Sequence, residues 1–287
     1  MKRKGLIQAA RTQFHAALMA KVLTLGDGKV PSNADKNNNA SVKIALAILD
    51  QIGIGSNAKR LAAQSAGNEF EEVCAAFLES TFLRLMHIRP GEWKIFRITQ
   101  GSREGIARFE QYAHLSALAD ACKQLPQLKS VLGTDYIISP DVVVIRIPEP
   151  DSNINKPYAI VDDATALLTS LRCKNNTLPL IHASVSCKFT LRSDRAQNAR
   201  SEALNLIRNR KGRVPHIAVM TAEPLPSRLS SLALGTGDID CVYHFALPEL
   251  KKAVEALGND DSRELLSIMI EGKRLRDISD LPLDLAI

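Results

Sequence analysis

Apolar residues recur at helical spacing in the first half of the chain. One such stripe predicts an amphipathic first helix, and it consists of Leu6, Ala10, Phe14, Leu18 and Val22. An organelle transit peptide would share the basic, acid-free composition of this region, but we favour the helix. The same spacing predicts further helices over 70–78 and 115–122.

The pattern changes in the second half, where runs rich in β-branched residues predict strands. These runs are 136–147, 178–189, 214–221 and 240–245. Helical spacing returns at 195–208 and 248–257. Strands that alternate with helices predict an α/β fold with a mixed central sheet flanked by helices. Because no clear linker interrupts the chain, we expect a single domain over residues 1–287 with an N-terminal helical elaboration.

The composition is that of a globular protein, with 45% hydrophobic and 24% charged residues among 287. It excludes a collagen, a coiled-coil rod and a disordered tail. No stretch approaches the roughly 20 apolar residues that span a bilayer, so we expect no membrane contact. The five cysteines are scattered, which argues against a disulfide framework or a structural zinc site. We therefore expect a cytoplasmic protein.

The predicted strand over 181–190 has two different faces, since strand side chains alternate. Its apolar face holds Ile181, Ala183, Val185, Cys187 and Phe189, and its polar face holds His182, Ser184, Ser186, Lys188 and Thr190. We expect this strand to be half-buried, with Ser186 and Lys188 side by side on its polar face.

Three carboxylates accompany this strand in the sequence. Asp141 stands at the entrance of an apolar strand, Glu202 lies on the next predicted helix, and Glu71 lies on an earlier one. Carboxylate oxygens suit Mg²⁺, and a lysine can position or activate a water beside a phosphate. The set is what phosphodiester hydrolysis needs, although a lysine in an alternating strand is usually just solvated.

A basic block covers 188–213. It contains eight lysines and arginines against two acids, an excess equal to the +6 of the whole chain. The positive field should therefore be local, as on a DNA-binding surface, unless the block is only a solvated helix face.

The block contains the run Arg192-Ser193-Asp194-Arg195. Arginine can donate to guanine and aspartate can accept from cytosine in the major groove, so the run is typical of G·C readout at a helix start. Alternatively, Asp194 caps the helix together with Gln197. Only 5% of the residues are aromatic, which disfavours base stacking on single strands.

Several longer motifs carry a family resemblance. They are HASVSCK at 182–188, RSDRAQNARSE at 192–202, NRKGR at 209–213, YHFAL at 243–247 and GKRLRDISDLPLDLA at 272–286. The chain resembles the NgoMIV restriction endonucleases, which belong to the PD-(D/E)XK nucleases. The resemblance covers nearly the whole chain and implies a mixed sheet flanked by helices.

The resemblance also implies roles for individual residues. Asp141 would be the central Mg²⁺ ligand and Lys188 the catalytic lysine. The further catalytic or metal-binding groups would be Glu202, Ser186, Glu71 and the backbone carbonyl of Cys187. Ser186 takes the position where related nucleases have an acid, and Glu202 supplies that acid from a helix.

The family reads GCCGGC and cuts after the first G, leaving 5′ overhangs. The inner CCGG would be read by Arg192, Asp194 and Arg195. The outer pairs and the minor groove would involve Asp35, Asn37, Gln64 and Arg228, where Asn37 replaces a serine of the family. The resemblance implies a prokaryotic homotetramer, a dimer of dimers, that holds two copies of double-stranded DNA.

Two other functions fit parts of this pattern. A non-cleaving DNA-binding protein on the same fold would need Arg192, Asp194 and Arg195 but no metal carboxylates. A repair or recombination nuclease would need the carboxylates but no sequence readout. The presence of Asp141, Lys188, Glu71 and Glu202 together disfavours the first alternative.

Overall fold

The computed structural model describes residues 4–26, 29–53, 63–98, 105–125, 127–128, 130, 139–235 and 237–287. The helices are α1 (Leu6–Lys21), α2 (Asn39–Ile52), α3 (Ala63–Thr81), α4 (His114–Gln124), α5 (Asp151–Ile154), α6 (Ser193–Asn209), α7 (Pro226–Ala233), α8 (Leu247–Leu257), α9 (Asp260–Glu271) and α10 (Leu281–Asp284). The strands are β1 (Trp93–Arg97), β2 (Val142–Arg146), β3 (Leu180–Lys188), β4 (His216–Thr221), β5 (Cys241–His244) and β6 (Leu275–Asp277). Short 3₁₀ turns lie at Phe82–Arg84, Gly105–Arg108 and Glu110–Tyr112.

The six strands form one mixed sheet in the order β1-β2-β3-β4-β5-β6. The first three strands pair antiparallel, and β3 to β6 pair parallel. Helices cover the sheet, so the predicted mixed sheet flanked by helices is confirmed. β3 joins the antiparallel part to the parallel part and therefore lies inside the sheet, away from its edges.

The expectation of a half-buried β3 is wrong, because helices cover both of its faces. Phe189, just after the strand, packs on Phe70 of α3 with ring centroids 5.6 Å apart. On the other face Ser184 and Ser186 are buried as well, and the Ser186 hydroxyl lies 3.4 Å from Glu202 of α6. The middle of the polar face of β3 is thus buried, while His182 and Lys188 towards its ends are half-buried.

The predicted N-terminal helix is confirmed as α1, which packs on α3. Ala10, Phe14 and Leu18 are buried, and the rings of Phe14 and Phe77 meet edge to face at 5.4 Å. Leu6 at the start of the stripe is 50% exposed, so the stripe was predicted one residue too long. Among the described residues, no helix combines the length and the apolar character that a membrane span requires.

Some elements differ from the sequence prediction. β2 begins only at Val142, and of the predicted strand before it 136–138 lie outside the described residues. The edge strands β1 and β6 were not predicted, since β1 carries three exposed positions and β6 has three residues. α6 begins at Ser193, two residues before its predicted start.

Candidate active site

The pairing of β2 with β3 brings an acid and an amine together. Asp141 directly precedes β2, and the antiparallel register sets Val142 opposite Val185. Lys188 Nζ consequently lies 2.9 Å from Asp141 Oδ2. The same oxygen accepts the backbone N–H of Cys187 at 2.7 Å. This carboxylate is held by two donors from the end of β3.

A second carboxylate reaches the same place from α6. The Ser186 hydroxyl lies 3.3 Å from Asp141 Oδ2 and 3.4 Å from Glu202 Oε2. Burial, and next the charge of Asp141, raise the pKa of Glu202 to about 7. Glu202 Oε1 is buried and has no hydrogen-bond partner. Two carboxylates are thus held together, and one of their oxygens is left unsatisfied.

Lys188 remains a cation in this environment. Burial by itself lowers the pKa of the Lys188 amine, but the charges of Asp141 and Glu202 outweigh it, and the net shift is upward. An amine that keeps its proton near neutral pH donates hydrogen bonds and positive charge. It does not serve as a base in this state.

Glu71 approaches the site from α3. Burial, and next the charge of Asp141, raise the pKa of Glu71, while Arg97 opposes this shift. Arg97 of β1 also donates a long hydrogen bond of 3.4 Å to Glu71 Oε2. The structure therefore brings Glu71 within electrostatic range of Asp141 and Lys188, in contact with an arginine.

The donor set suits a hard divalent cation. Mg²⁺ is usually bound by one or two carboxylates, with water and substrate phosphate oxygens as its other ligands. Asp141 and Glu202 provide such a pair, and the unpartnered Glu202 Oε1 is a free oxygen donor inside it. In the described ranges no three or more His, Cys, Asp or Glu side chains cluster to chelate a metal, so Glu71 does not complete a carboxylate triad.

The residues expected to read the inner bases lie where β3 leads into α6. Arg192 is the N-cap residue of α6, and its side chain makes no capping hydrogen bond. Asp194 lies in the first turn of the helix, so the interpretation of Asp194 as the cap is wrong. Arg195 Nη1 donates to the Thr190 hydroxyl at 3.0 Å. Arg192 and Asp194 are exposed.

Two of the residues expected to read the outer base pair contact each other. The guanidinium of Arg228, on α7, donates a short hydrogen bond to Asp35 Oδ2. Asp35 Oδ1 accepts the backbone N–H of Asn37 at 3.1 Å. The Asn37 N–H, and Arg228 as well, lower the pKa of Asp35. The side chain of Gln64 lies outside the described part of the structure.

One buried acid beside these residues was not singled out from the sequence. Glu223 follows β4, is fully buried, and accepts the backbone N–H groups of Leu191 at 2.8 Å and Leu225 at 3.1 Å. Burial raises the pKa of Glu223 to about 7, and both N–H groups counteract this effect. The sequence does carry a signal for Glu223, because it is an acid that closely follows an apolar strand. Asp141 is the corresponding acid in front of such a strand.

The basic block does not form one surface. Its start lies at the active site, but Arg213 lines a cavity with His182 and His216 at the amino ends of β3 and β4. His182 and Lys188 are six residues apart on β3, which corresponds to roughly 20 Å at about 3.3 Å per residue. The expectation of a single local field beside the active site is therefore only partly met.

Two known relatives, a family and a single protein, match nearly the whole chain. A family model described as "NgoMIV restriction enzyme" matches residues 14–287. The chain is 52% identical over 283 residues to the type II restriction enzyme NgoMIV of Neisseria gonorrhoeae, and the match covers 98% of this chain and 99% of the relative. The matched range contains the positions of all the acids and of the lysine described above.

Proposed function

Since the chain belongs to the NgoMIV restriction enzyme family, we propose that it cleaves double-stranded DNA at GCCGGC in a reaction that requires Mg²⁺. It is a type II restriction enzyme, that is, a site-specific deoxyribonuclease. The proposal places the cut after the first G and gives 5′ overhangs. The observation that supports it most is that Lys188 and Ser186 both donate to Asp141 Oδ2, while the same Ser186 hydroxyl also contacts Glu202.

The chain's own groups account for binding and orientation at the scissile phosphate. Lys188 is held by Asp141 at 2.9 Å, so its ammonium group has a fixed position beside the carboxylate pair. There it donates hydrogen bonds to the attacking water and to a phosphate oxygen, and its charge stabilises the transition state. The water oxygen bonds to phosphorus as the bond to the in-line 3′ oxygen breaks. The water gives up a proton to solvent and the 3′ oxygen takes one from solvent, so the products carry a 5′-phosphate and a 3′-hydroxyl.

Asp141 and Glu202 would hold the metal ion together with the backbone carbonyl of Cys187. When bound, Mg²⁺ lowers the pKa of a coordinated water and neutralises charge on the phosphate. The short contact between Asp141 and the Cys187 N–H fixes this carboxylate without occupying its other oxygen. Glu71 contributes negative charge nearby, restrained by Arg97.

Sequence readout would come from two groups of side chains. Arg192, Asp194 and Arg195 lie at the amino end of α6, whose first residues can reach base edges in the major groove. Arginine pairs with guanine and aspartate with cytosine, as a site made only of G·C pairs demands. Asp35 and Arg228 form a second pair of an acid and an arginine, suited to the outer G·C base pair. Asn37 and Gln64 would add the contacts in the minor groove.

We also propose that the enzyme acts as a homo-oligomer, a dimer of dimers, in the cytoplasm of a prokaryotic cell. A palindromic site calls for two copies related by a two-fold axis. The segment between β2 and β3 offers a further contact surface, since Tyr158 is 72% and Leu168 96% exposed. Fully buried Arg172 fixes this segment by donating to both oxygens of Asp151. Exposed apolar side chains on a fixed segment favour contact with another copy.

Two substitutions test the assignment of the active site. Lys188→Ala and Asp141→Ala should each abolish cleavage of plasmid DNA in Mg²⁺ while a gel-shift assay still shows DNA binding. Lys94→Ala is the matched control, because Lys94, on β1, forms an exposed ion pair with Glu92 at 3.0 Å. Undiminished cutting by either active-site variant would refute the assigned roles.

The recognition sequence is tested on the wild-type enzyme. Sequencing the ends of digested DNA should return GCCGGC with the break after the first G, and EDTA should stop the reaction. Discrete fragments with a different terminal sequence would refute the proposed site. A smear of fragments would instead indicate a nuclease without sequence preference.

A further inference from the structure

Glu223 connects segments that are far apart in the sequence. Its Oε2 accepts the N–H of Leu191 at 2.8 Å and lies 3.7 Å from Arg228 Nη1. Its Oε1 accepts the N–H of Leu225 at 3.1 Å, just before α7 begins. Both carboxylate oxygens are thus engaged, and the group is fully buried.

Each of these partners adjoins a proposed base reader. Leu191 directly precedes Arg192, so the Leu191–Glu223 hydrogen bond holds the residue before the readers of the inner bases. Arg228 is itself a proposed reader of the outer pair and contacts Asp35. The loop that carries Asp35 is tied to the same place, because Asn33 Nδ2 donates to the Ala222 carbonyl at 2.8 Å.

We propose that Glu223 is a positioning residue that holds the inner-base readers and the outer-base readers in one fixed arrangement. This inference rests on the proposed roles of the recognition residues. Glu223 itself is enclosed and does not reach DNA. It contributes to sequence specificity, because a side chain distinguishes one base pair from another only when the backbone that carries it is held in place.

The two acceptor oxygens of Glu223 explain why a carboxylate is needed. A glutamine of the same shape has one acceptor oxygen, so it can accept only one of the two backbone N–H groups. Its amide nitrogen would face the other donor, and Arg228 would lose one of its two negatively charged neighbours and keep only Asp35. The substitution Glu223→Gln therefore loosens both segments with a minimal change of volume.

The test compares kcat/KM on GCCGGC with kcat/KM on duplexes in which one inner or one outer base pair is changed. Glu223→Gln should reduce the discrimination against both kinds of altered duplex by about tenfold, which corresponds to about 1.4 kcal/mol each. Reduced discrimination at the outer base pair alone, or at neither, would overturn the inference. A general loss of stability would not reduce discrimination at both base pairs, because it lowers activity on all duplexes alike.

Asp240→Asn is the matched control. Asp240 also accepts a backbone N–H, that of Ile217 at 2.7 Å, but at the opposite end of β4. It should leave both discrimination ratios unchanged. If Asp240→Asn relaxed them as much as Glu223→Gln does, the effect would be one of sheet stability and the inference would fail.

Two more variants separate this inference from the function on which it rests. Arg195→Ala should relax the inner pairs and Arg228→Ala the outer pair. If neither does so, the proposed recognition residues are wrong, whereas if both do and Glu223→Gln changes nothing, only the role of Glu223 is wrong. Should Glu223→Gln fail to fold, Glu223→Asp is measured in the same way. Its shorter side chain cannot hold both segments, so unchanged discrimination at both kinds of base pair would overturn the inference.

Discussion

Arg228 donates a hydrogen bond to Asp35 across 193 positions of sequence, so the two proposed readers of the outer base pair satisfy each other when no DNA is present. Each is also held from behind, Asp35 by the N–H of Asn37 and Arg228 by the nearby carboxylate of Glu223. A G·C base pair offers acceptor atoms on guanine and a donor amine on cytosine. It can therefore accept from Arg228 and donate to Asp35 at the same time, in place of their contact with each other.

Asp35→Asn should selectively weaken readout of the outer base pair. The amide keeps one acceptor oxygen but loses the charge that the cytosine amine and Arg228 both contact, so we expect kcat/KM on the intact site to fall about tenfold or more. The kcat/KM on duplexes altered at the outer base pair should change little, so the ratio of kcat/KM between the intact and the altered duplexes becomes smaller. Asp163→Asn, at an exposed ion pair with Lys174, is the control. An unchanged ratio for Asp35→Asn would contradict the assignment.

Much of the sheet could be predicted because its inner strands are apolar throughout. Val142 to Ile145 are fully buried, and a continuous β-branched run of this length is typical of a strand covered on both faces. β1 could not be predicted, since it exposes Lys94, Phe96 and Arg97 and takes its place only by pairing with β2. Edge strands of this kind are determined by tertiary contacts more than by their own pattern.

The candidate site was predictable in its members but not in its geometry. Asp141 and Lys188 could be named from the sequence and its resemblance, yet their contact depends on the register of β2 against β3. For the basic block the sequence suggested a proximity that the fold does not have. Its residues are continuous in sequence, but α6 leads from the active site to the other end of the sheet.

Mg²⁺ should stabilise the folded enzyme even without DNA. Asp141 and Glu202 both lie at the Ser186 hydroxyl, where burial, and next the charge of Asp141, raise the pKa of Glu202. A bound cation relieves the repulsion between the two carboxylates. An ion that binds only the folded state at about 100 times its Kd adds about 2.7 kcal/mol of stability. A thermal melt followed over a Mg²⁺ titration should therefore shift upward by several degrees.

Glu202→Gln should remove most of that shift, because the variant has lost one of the two anionic ligands. It should also melt at a higher temperature than the wild type in EDTA, since the repulsion is gone. Glu110→Gln is a matched control: Glu110 also accepts from a serine hydroxyl, that of Ser170 at 2.6 Å, away from the site. A Glu202→Gln variant that responds to Mg²⁺ like the wild type would refute the proposed ion site.

The far end of the basic block should contribute little to specific DNA binding. Arg213, two residues after Lys211, lines a cavity with His182, which lies roughly 20 Å from Lys188 by the strand geometry. At physiological ionic strength the Debye length is about 8 Å, so exposed charges at that distance are largely screened. The double variant Lys211→Ala/Arg213→Ala should change the Kd for a duplex with the site less than about twofold.

Arg192→Ala gives the contrast, because Arg192 lies at the start of α6 beside the active site. The Kd of Arg192→Ala for DNA should rise, and the salt dependence of binding should become less steep. A gel-shift series from low to moderate salt measures this variant and Lys211→Ala/Arg213→Ala. Equal losses of affinity in both variants would mean that the DNA contacts the basic block over its whole length.

The exposed apolar segment between β2 and β3 should hold copies of the enzyme together. Leu168→Ser should leave the fold intact, since this side chain is almost fully exposed. Sedimentation should then show a species of half the wild-type mass, a dimer in place of a tetramer. Leu283→Ser, at an exposed leucine on α10, is the control and should keep the wild-type mass. Identical masses for Leu168→Ser and the wild type would refute this interface.

A buried ion cluster joins α1 to the end of the sheet and should determine how stability depends on pH. Arg11 donates to Asp277 at 2.9 Å and to Glu249 at 2.6 Å. Burial raises the pKa of both acids, but the hydrogen bonds and charge of Arg11 outweigh it, and both values end below normal. Such depressed values stabilise the fold above the ordinary carboxyl pKa values of 3.8 and 4.5. This stabilisation is lost as the pH falls below them.

Arg11→Met should therefore destabilise the protein by about 3 kcal/mol at pH 7, because it removes the cation that both carboxylates share. Asp277 keeps the hydrogen bonds from Leu247 and Ser279. The difference from the wild type should shrink as the pH falls through the ordinary values of 3.8 and 4.5, because the acids of the variant take up protons first and those of the wild type follow at lower pH. Urea denaturation at pH 7 and near pH 3.5 measures the two differences. Lys21→Met, which removes exposed ion pairs with Glu69 and Glu72, should have little effect at either pH. A loss for Arg11→Met that stays constant with pH would show that the arginine acts through packing and not through its charge.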